Sequence, residues 1–99
     1  MLERLTIDHF RPLAGTNFRA AFPDRVIELE LLTIKSLAER YGGRASREPF
    51  SLVFRGPNDV MIPQSTYIIT HEAFPEPLTI FIVPIARHDD GFRYEAIFA

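Results

Sequence analysis

Apolar side chains recur at every second position in several short runs of this chain, and Pro, Gly or Asp clusters separate the runs. Alternation with period two is the signature of a strand that buries one face. Phe18, Ala20 and Phe22 alternate with Asn17, Arg19 and Ala21, which predicts a first strand over 17–22. A second runs from about 25 to 36, where Ile27, Leu29 and Leu31 set the phase. The phase then slips, because Leu32 and Ile34 are apolar. One extra residue turns all later side chains to the other face, so the slip predicts a β-bulge. Four more strands are expected over 50–55, 64–71, 78–85 and 92–98.

Pro23-Asp24, Gly56-Pro57-Asn58-Asp59, Glu72–Pro77 and Arg87–Gly91 supply the connections. The longest link is Leu37–Pro49, with Gly42-Gly43, and Ser36–Tyr41 is compatible with a helical turn. Without crossover helices the strands must pair mainly antiparallel. The expectation is an all-β domain: a six-stranded, partly open small barrel, with a two-sheet β-sandwich as the alternative. Thr6 is placed to cap a short N-terminal helical turn that ends before Pro12. A chain of 99 residues makes one domain, 1–99.

The fifth strand departs from the pattern. Leu78, Ile80 and Ile82 lie on one face, and Phe81, Val83 and Ile85 on the other; the third strand adds Val53 to its nominal outer face and the sixth adds Ile97. A strand apolar on both faces is expected to be covered on both. The N-terminal segment, with Leu2, Leu5, Ile7, Phe10 and Leu13, is the preferred cover and a second subunit the other.

Composition narrows the function classes. The chain has no cysteine, which excludes disulfides, thiolate metal sites and cysteine nucleophiles. A net charge of −2 offers no global field for nucleic acid. Arg40, Tyr41, Arg44 and Arg47 form a local basic stretch, partly neutralised by Glu39 and Glu48, so no nucleic-acid partner is expected. The longest apolar stretch, Leu78–Ala86, is far short of the roughly 20 residues of a spanning helix. No signal-peptide pattern opens the chain. A cytoplasmic protein without membrane association is the expectation.

His71, Glu72, His88 and Asp89 combine metal-ligating types, but their spacing fits no metal motif. None of Ser36, Ser46, Ser51 and Ser65 sits in G-x-S-x-G. Glu28 and Glu30 share the outward side of the second strand, which reads as a solvated face. No glycine-rich phosphate cradle is present. The sequence therefore assigns no catalytic, metal or cofactor-binding residue, and a non-enzymatic role is expected. Arg55 and Glu95 read first as two unrelated surface charges, with a cross-strand ion pair as the alternative if the third and sixth strands are neighbours.

Four stretches carry a resemblance: Arg47-Glu48-Pro49-Phe50-Ser51-Leu52-Val53-Phe54-Arg55-Gly56-Pro57, Ile62-Pro63-Gln64-Ser65-Thr66-Tyr67, Phe81-Ile82-Val83-Pro84-Ile85 and Arg93-Tyr94-Glu95-Ala96-Ile97-Phe98. In this order they resemble an uncharacterised family of small bacterial proteins of about this length, over Leu5 to Phe98. Ala99 departs from the Asn that tends to follow in that family. The resemblance implies no catalytic residue; it implies an assembly role associated with phage-tail-like particles. The leading expectation is thus a structural or interaction module, self-associating or docking through strand edges or the second apolar face. The alternative is a small-molecule-binding barrel whose cavity is lined by Phe18, Phe22, Phe50, Phe54, Tyr94 and Phe98.

Overall fold

A computed structural model describes residues 5–38 and 48–99. The helical-turn expectation within Ser36–Tyr41 and the basic stretch Arg40–Arg47 fall largely or wholly outside them. A single turn, α1 (Ile7–Phe10), precedes six strands: β1 (Asn17–Ala21), β2 (Val26–Ser36), β3 (Phe50–Gly56), β4 (Ser65–Thr70), β5 (Leu78–His88) and β6 (Gly91–Phe98). Each expected strand is present. The largest shift is in β5, which continues to His88 and leaves Asp89-Asp90 as a two-residue turn.

The strands close into a barrel in the order β1-β2-β3-β6-β5-β4. All pairs are antiparallel. The partly open barrel is therefore corrected to a closed one, and the sandwich is excluded. Closure runs through a short seam in which Arg19 pairs with Thr70 and Ala20 with Ile69. Closure gives every strand a neighbour on both sides, so strand addition, the edge half of the partner expectation, is limited to short unpaired stretches such as 65–68 of β4, which the two-pair seam leaves open on its β1 side.

The bulge in β2 falls where the phase slips: the register against β3 shifts between Leu31 and Thr33. A second bulge, between Pro84 and Ala86 of β5, was not expected. Both bend long strands, which a small barrel requires to close.

The ring order dictates how the ends are sealed. β3 and β4 are consecutive in sequence but stand opposite each other in the ring. Their connection must cross one mouth of the barrel, and it carries the buried Ile62. The Ile62 amide donates to the Tyr94 hydroxyl at 2.8 Å, and the Tyr67 hydroxyl donates to the Pro63 carbonyl. A tyrosine is an apolar filler whose hydroxyl needs a partner when buried, and both hydroxyls find one here.

α1 seals the other mouth. Thr6, in extended conformation, donates its backbone N–H to His9 Nδ1 at 2.9 Å, the reciprocal contact of a capping box with His in the usual Glu or Gln place. The turn points Phe10 into the barrel, where its ring lies 5.4 Å from Phe98, 5.5 Å from Phe74 and 5.7 Å from Phe50. Phe10 is fully buried; burying such a side chain is worth about 1.5–3 kcal/mol. The N-terminal segment thus plugs the barrel end. Its described residues do not bury the outer face of β5 as expected, Phe81 being 50 % exposed and Ile85 49 %, and Leu2, also named for that cover, lies outside the described residues.

Candidate functional site

The interior is filled by its own rings. Phe50 and Phe98 stack at 4.8 Å, and Phe18 meets Phe54 edge-on at 5.4 Å. Phe18, Phe50, Phe54 and Tyr94 have no solvent exposure, and Phe98 is also buried. Phe22, expected among them, lies at the rim against Tyr67 at 5.5 Å and is only half-buried. Burial pushes the Tyr94 hydroxyl above its ordinary pKa.

The histidines do not converge. His71 follows β4 beside the start of β5, whereas His88 ends β5 at the opposite mouth. His71 is buried and fully committed to the fold. Its Nδ1 accepts from the Ala73 amide at 2.9 Å, so the proton of the neutral ring sits on Nε2. Nε2 then donates to the Thr16 hydroxyl at 2.9 Å, and that hydroxyl donates to the Leu13 carbonyl at 2.6 Å. The ring packs 4.4 Å from Phe18. His71 is a tether between the plug and the β4–β5 connection. Among the described residues no acid–histidine cluster has the form of a metal site.

The outer face of the barrel carries the features that the core does not explain. Its rows follow from register. In the first, Glu30 opposes Arg55, Arg55 opposes Arg93, and Arg93 opposes Ala86. Two arginines directly opposite each other repel. Asp90 resolves this from the adjacent turn: one carboxylate oxygen accepts from Arg93 at 2.9 Å and the other from Arg55 at 3.1 Å. Glu30 also accepts from Arg55. The bond from Arg93, then that from Arg55, holds the Asp90 carboxyl below the usual carboxylate range.

Asp90 is set in place by Gly91, whose φ of +136° favours glycine and whose would-be Cβ overlaps the Gly56 carbonyl oxygen. Arg55 and Glu95, the pair considered from sequence, do not meet. β3 and β6 are neighbours, but Glu95 opposes Val53 while Arg55 opposes Arg93. Glu28 is held by Asn17 at 2.8 Å on the same side of the barrel. An open groove of about 470 Å³ runs past Glu28, Glu30, Arg55 and Asp90.

The next row is different. Glu95 is flanked by Val53 on β3 and Val83 on β5. Beyond it Ile97 is 56 % exposed and Phe81 50 %. The two line one shallow depression of about 290 Å³ with Thr66 and Thr79. The apolar second face read from the sequence is therefore real, it extends from β5 onto β6 and β3, and much of it is bare. Val53 and Ile97, on the nominal outer sides of the third and sixth strands, already mark that extension in the sequence.

No curated protein and no solved structure matches this chain. Residues 5–98 match the model of the DUF6916 family, described as a domain of unknown function. The match spans the plug, all six strands and both sealed mouths, so the chain belongs to that family.

Proposed function

We propose that this domain is a non-enzymatic interaction module that docks through the outer apolar strip of β5 and β6. The observation that carries the reading is the half exposure of Phe81 and Ile97, side by side on a sheet whose other face is a filled core. Exposed aromatic and aliphatic side chains grouped on a rigid surface are what a protein contact buries. Closure of the barrel leaves only short stretches, such as that of β4, for strand addition, so we assign the contact to side chains on the sheet face. The setting we assign is assembly within a phage-tail-like particle, which rests on the whole-chain resemblance. The test is quantitative capture from extracts of the source organism with the wild type and with the Phe81→Asp/Ile97→Asp double variant. A particle component retained by the first and lost by the second is expected. Equal capture by both would sink the reading.

A second reading, small-molecule binding, is favoured by the groove beside Glu28, Glu30, Arg55 and Asp90, whose volume suits a ligand. Its charged lining suits a small zwitterion or amine. Thermal-shift screening with such compounds separates the two, since a hit must be lost on Arg55→Ala and kept on Phe81→Asp.

A further inference from the structure

The apolar strip has one charged side chain at its centre. Glu95 stands with Val53 on one side and Val83 on the other, next in its strand to Ile97 on the same face. It is half-buried. Among the described residues no Lys, Arg or His pairs with it, whereas Arg55 and Arg93, one row away, are both engaged by Asp90. A carboxylate among apolar neighbours is a liability in any contact that covers it without a cation, because its hydration is lost and nothing replaces it. Two copies of the strip packed about a central twofold axis would bring two such carboxylates together, which is unfavourable.

We infer that the strip receives a protein segment of a different chain whose apolar stripe carries one Lys or Arg placed to meet Glu95. The inference rests on the interaction reading above and adds the partner's chemistry. Spacing gives its form. Successive outward residues of a strand lie about 6.6 Å apart, close to the separation of side chains one turn apart on a helix. An amphipathic helix with its basic residue one turn from an aliphatic anchor therefore sets the cation over Glu95 and the anchor over Phe81 and Ile97. The basic residue gives register and specificity, and the anchor gives the apolar burial.

The experiment is selection of a displayed library of random helical peptides on the wild-type domain. Binding is then measured on Phe81→Asp, Ile97→Asp, Glu95→Gln and Glu95→Lys, each first checked for a cooperative melt. Expected are peptides that combine aliphatic residues with a Lys or Arg. Their binding should be lost on Phe81→Asp and Ile97→Asp and weakened by about tenfold on Glu95→Lys. Exchange of the peptide's cation for Glu should restore binding to Glu95→Lys. Peptides that need Phe81 and Ile97 but bind wild type and Glu95→Lys equally would overturn the charge inference and leave the interaction reading standing. A selection in which no binder depends on Phe81 or Ile97 would overturn both. A wild-type dimer in light scattering that Phe81→Asp dissolves would show that a second copy occupies the strip, contrary to the inference.

Discussion

Arg55 and Glu95 occupy adjacent rows of the same outer face, yet their surroundings are opposite. Around Arg55 every charge has a counter-charge: Glu30 across one strand pair, and Asp90 reaching both Arg55 and Arg93. Around Glu95 the neighbours are two valines, and Ile97 and Phe81 follow. The charges of the first region are paired within one chain, so substitutions there act on the fold whether or not the groove beside them takes a ligand. The second is stable but unfinished, so its residues are free to act on something else. Substitutions should divide along that line: costly for the fold at and beneath the first region, nearly silent for it in the second.

The largest loss is expected from Gly91→Ala. A methyl group there meets the Gly56 carbonyl and takes a backbone angle that favours glycine, and the turn that aims Asp90 must give way. A destabilisation on the order of 3 kcal/mol or more is expected, read as a shift of the urea midpoint. A midpoint near that of wild type would mean that the hairpin is not the rigid anchor of the charged row.

Tyr94→Phe comes next. It removes the hydroxyl that accepts from the buried Ile62 amide, and a buried donor left unpaired costs about 1–3 kcal/mol. Urea denaturation measures it, and faster exchange of the Ile62 amide should accompany it. Unchanged stability would show that the connection across this mouth is held by burial of Ile62 alone.

Asp90→Asn should lower Tm at neutral pH by a smaller amount, because the network is half in water. The Asp90 carboxyl is held below its ordinary value. Its contribution is present above the unfolded value of about 3.9 and is lost as pH falls through the folded one. The gap in Tm between wild type and variant should therefore close in acid, and also in high salt. A gap that stayed constant in both would mean that Asp90 acts through its turn geometry rather than its charge.

These contrasts also show what the sequence could and could not carry. The bulge at Leu32 was legible because the alternation changes phase there. The bulge at Ile85 was not: Pro84, Ile85 and Ala86 are all apolar or small, so an extra residue leaves no mark. The seam that closes the barrel rests on two pairs between strands far apart in sequence, and no local pattern announces it. Asp90 read as a turn residue, which it is, but its second role depends on Arg55 and Arg93 facing each other. The Arg55–Glu95 pair failed by one row of register, a quantity that alternation leaves open. Phe10 was legible as apolar cover, but a single helical turn does not say whether it caps a barrel end or lies on a sheet.

Glu95→Val is expected to stabilise the fold, by about 0.2–1 kcal/mol. It would complete a row of three β-branched side chains across β3, β6 and β5. A loss of stability instead would mean that Glu95 has a role in the fold, and the contrast with Arg55 would collapse.

The smallest effect on the fold should come from Phe81→Ser. Phe81 is large and aromatic, and removal of such a side chain from a core costs about 3–5 kcal/mol. Here the ring is half exposed on the outer face while its strand neighbours Ile80 and Ile82 hold β5 to the core. The change in unfolding free energy should stay within about 0.5 kcal/mol, measured by urea denaturation. A core-sized loss would show that the strip is already covered within this chain. A silent change would leave the exposed ring without a structural purpose, and a residue that the fold does not need is one that a partner can use.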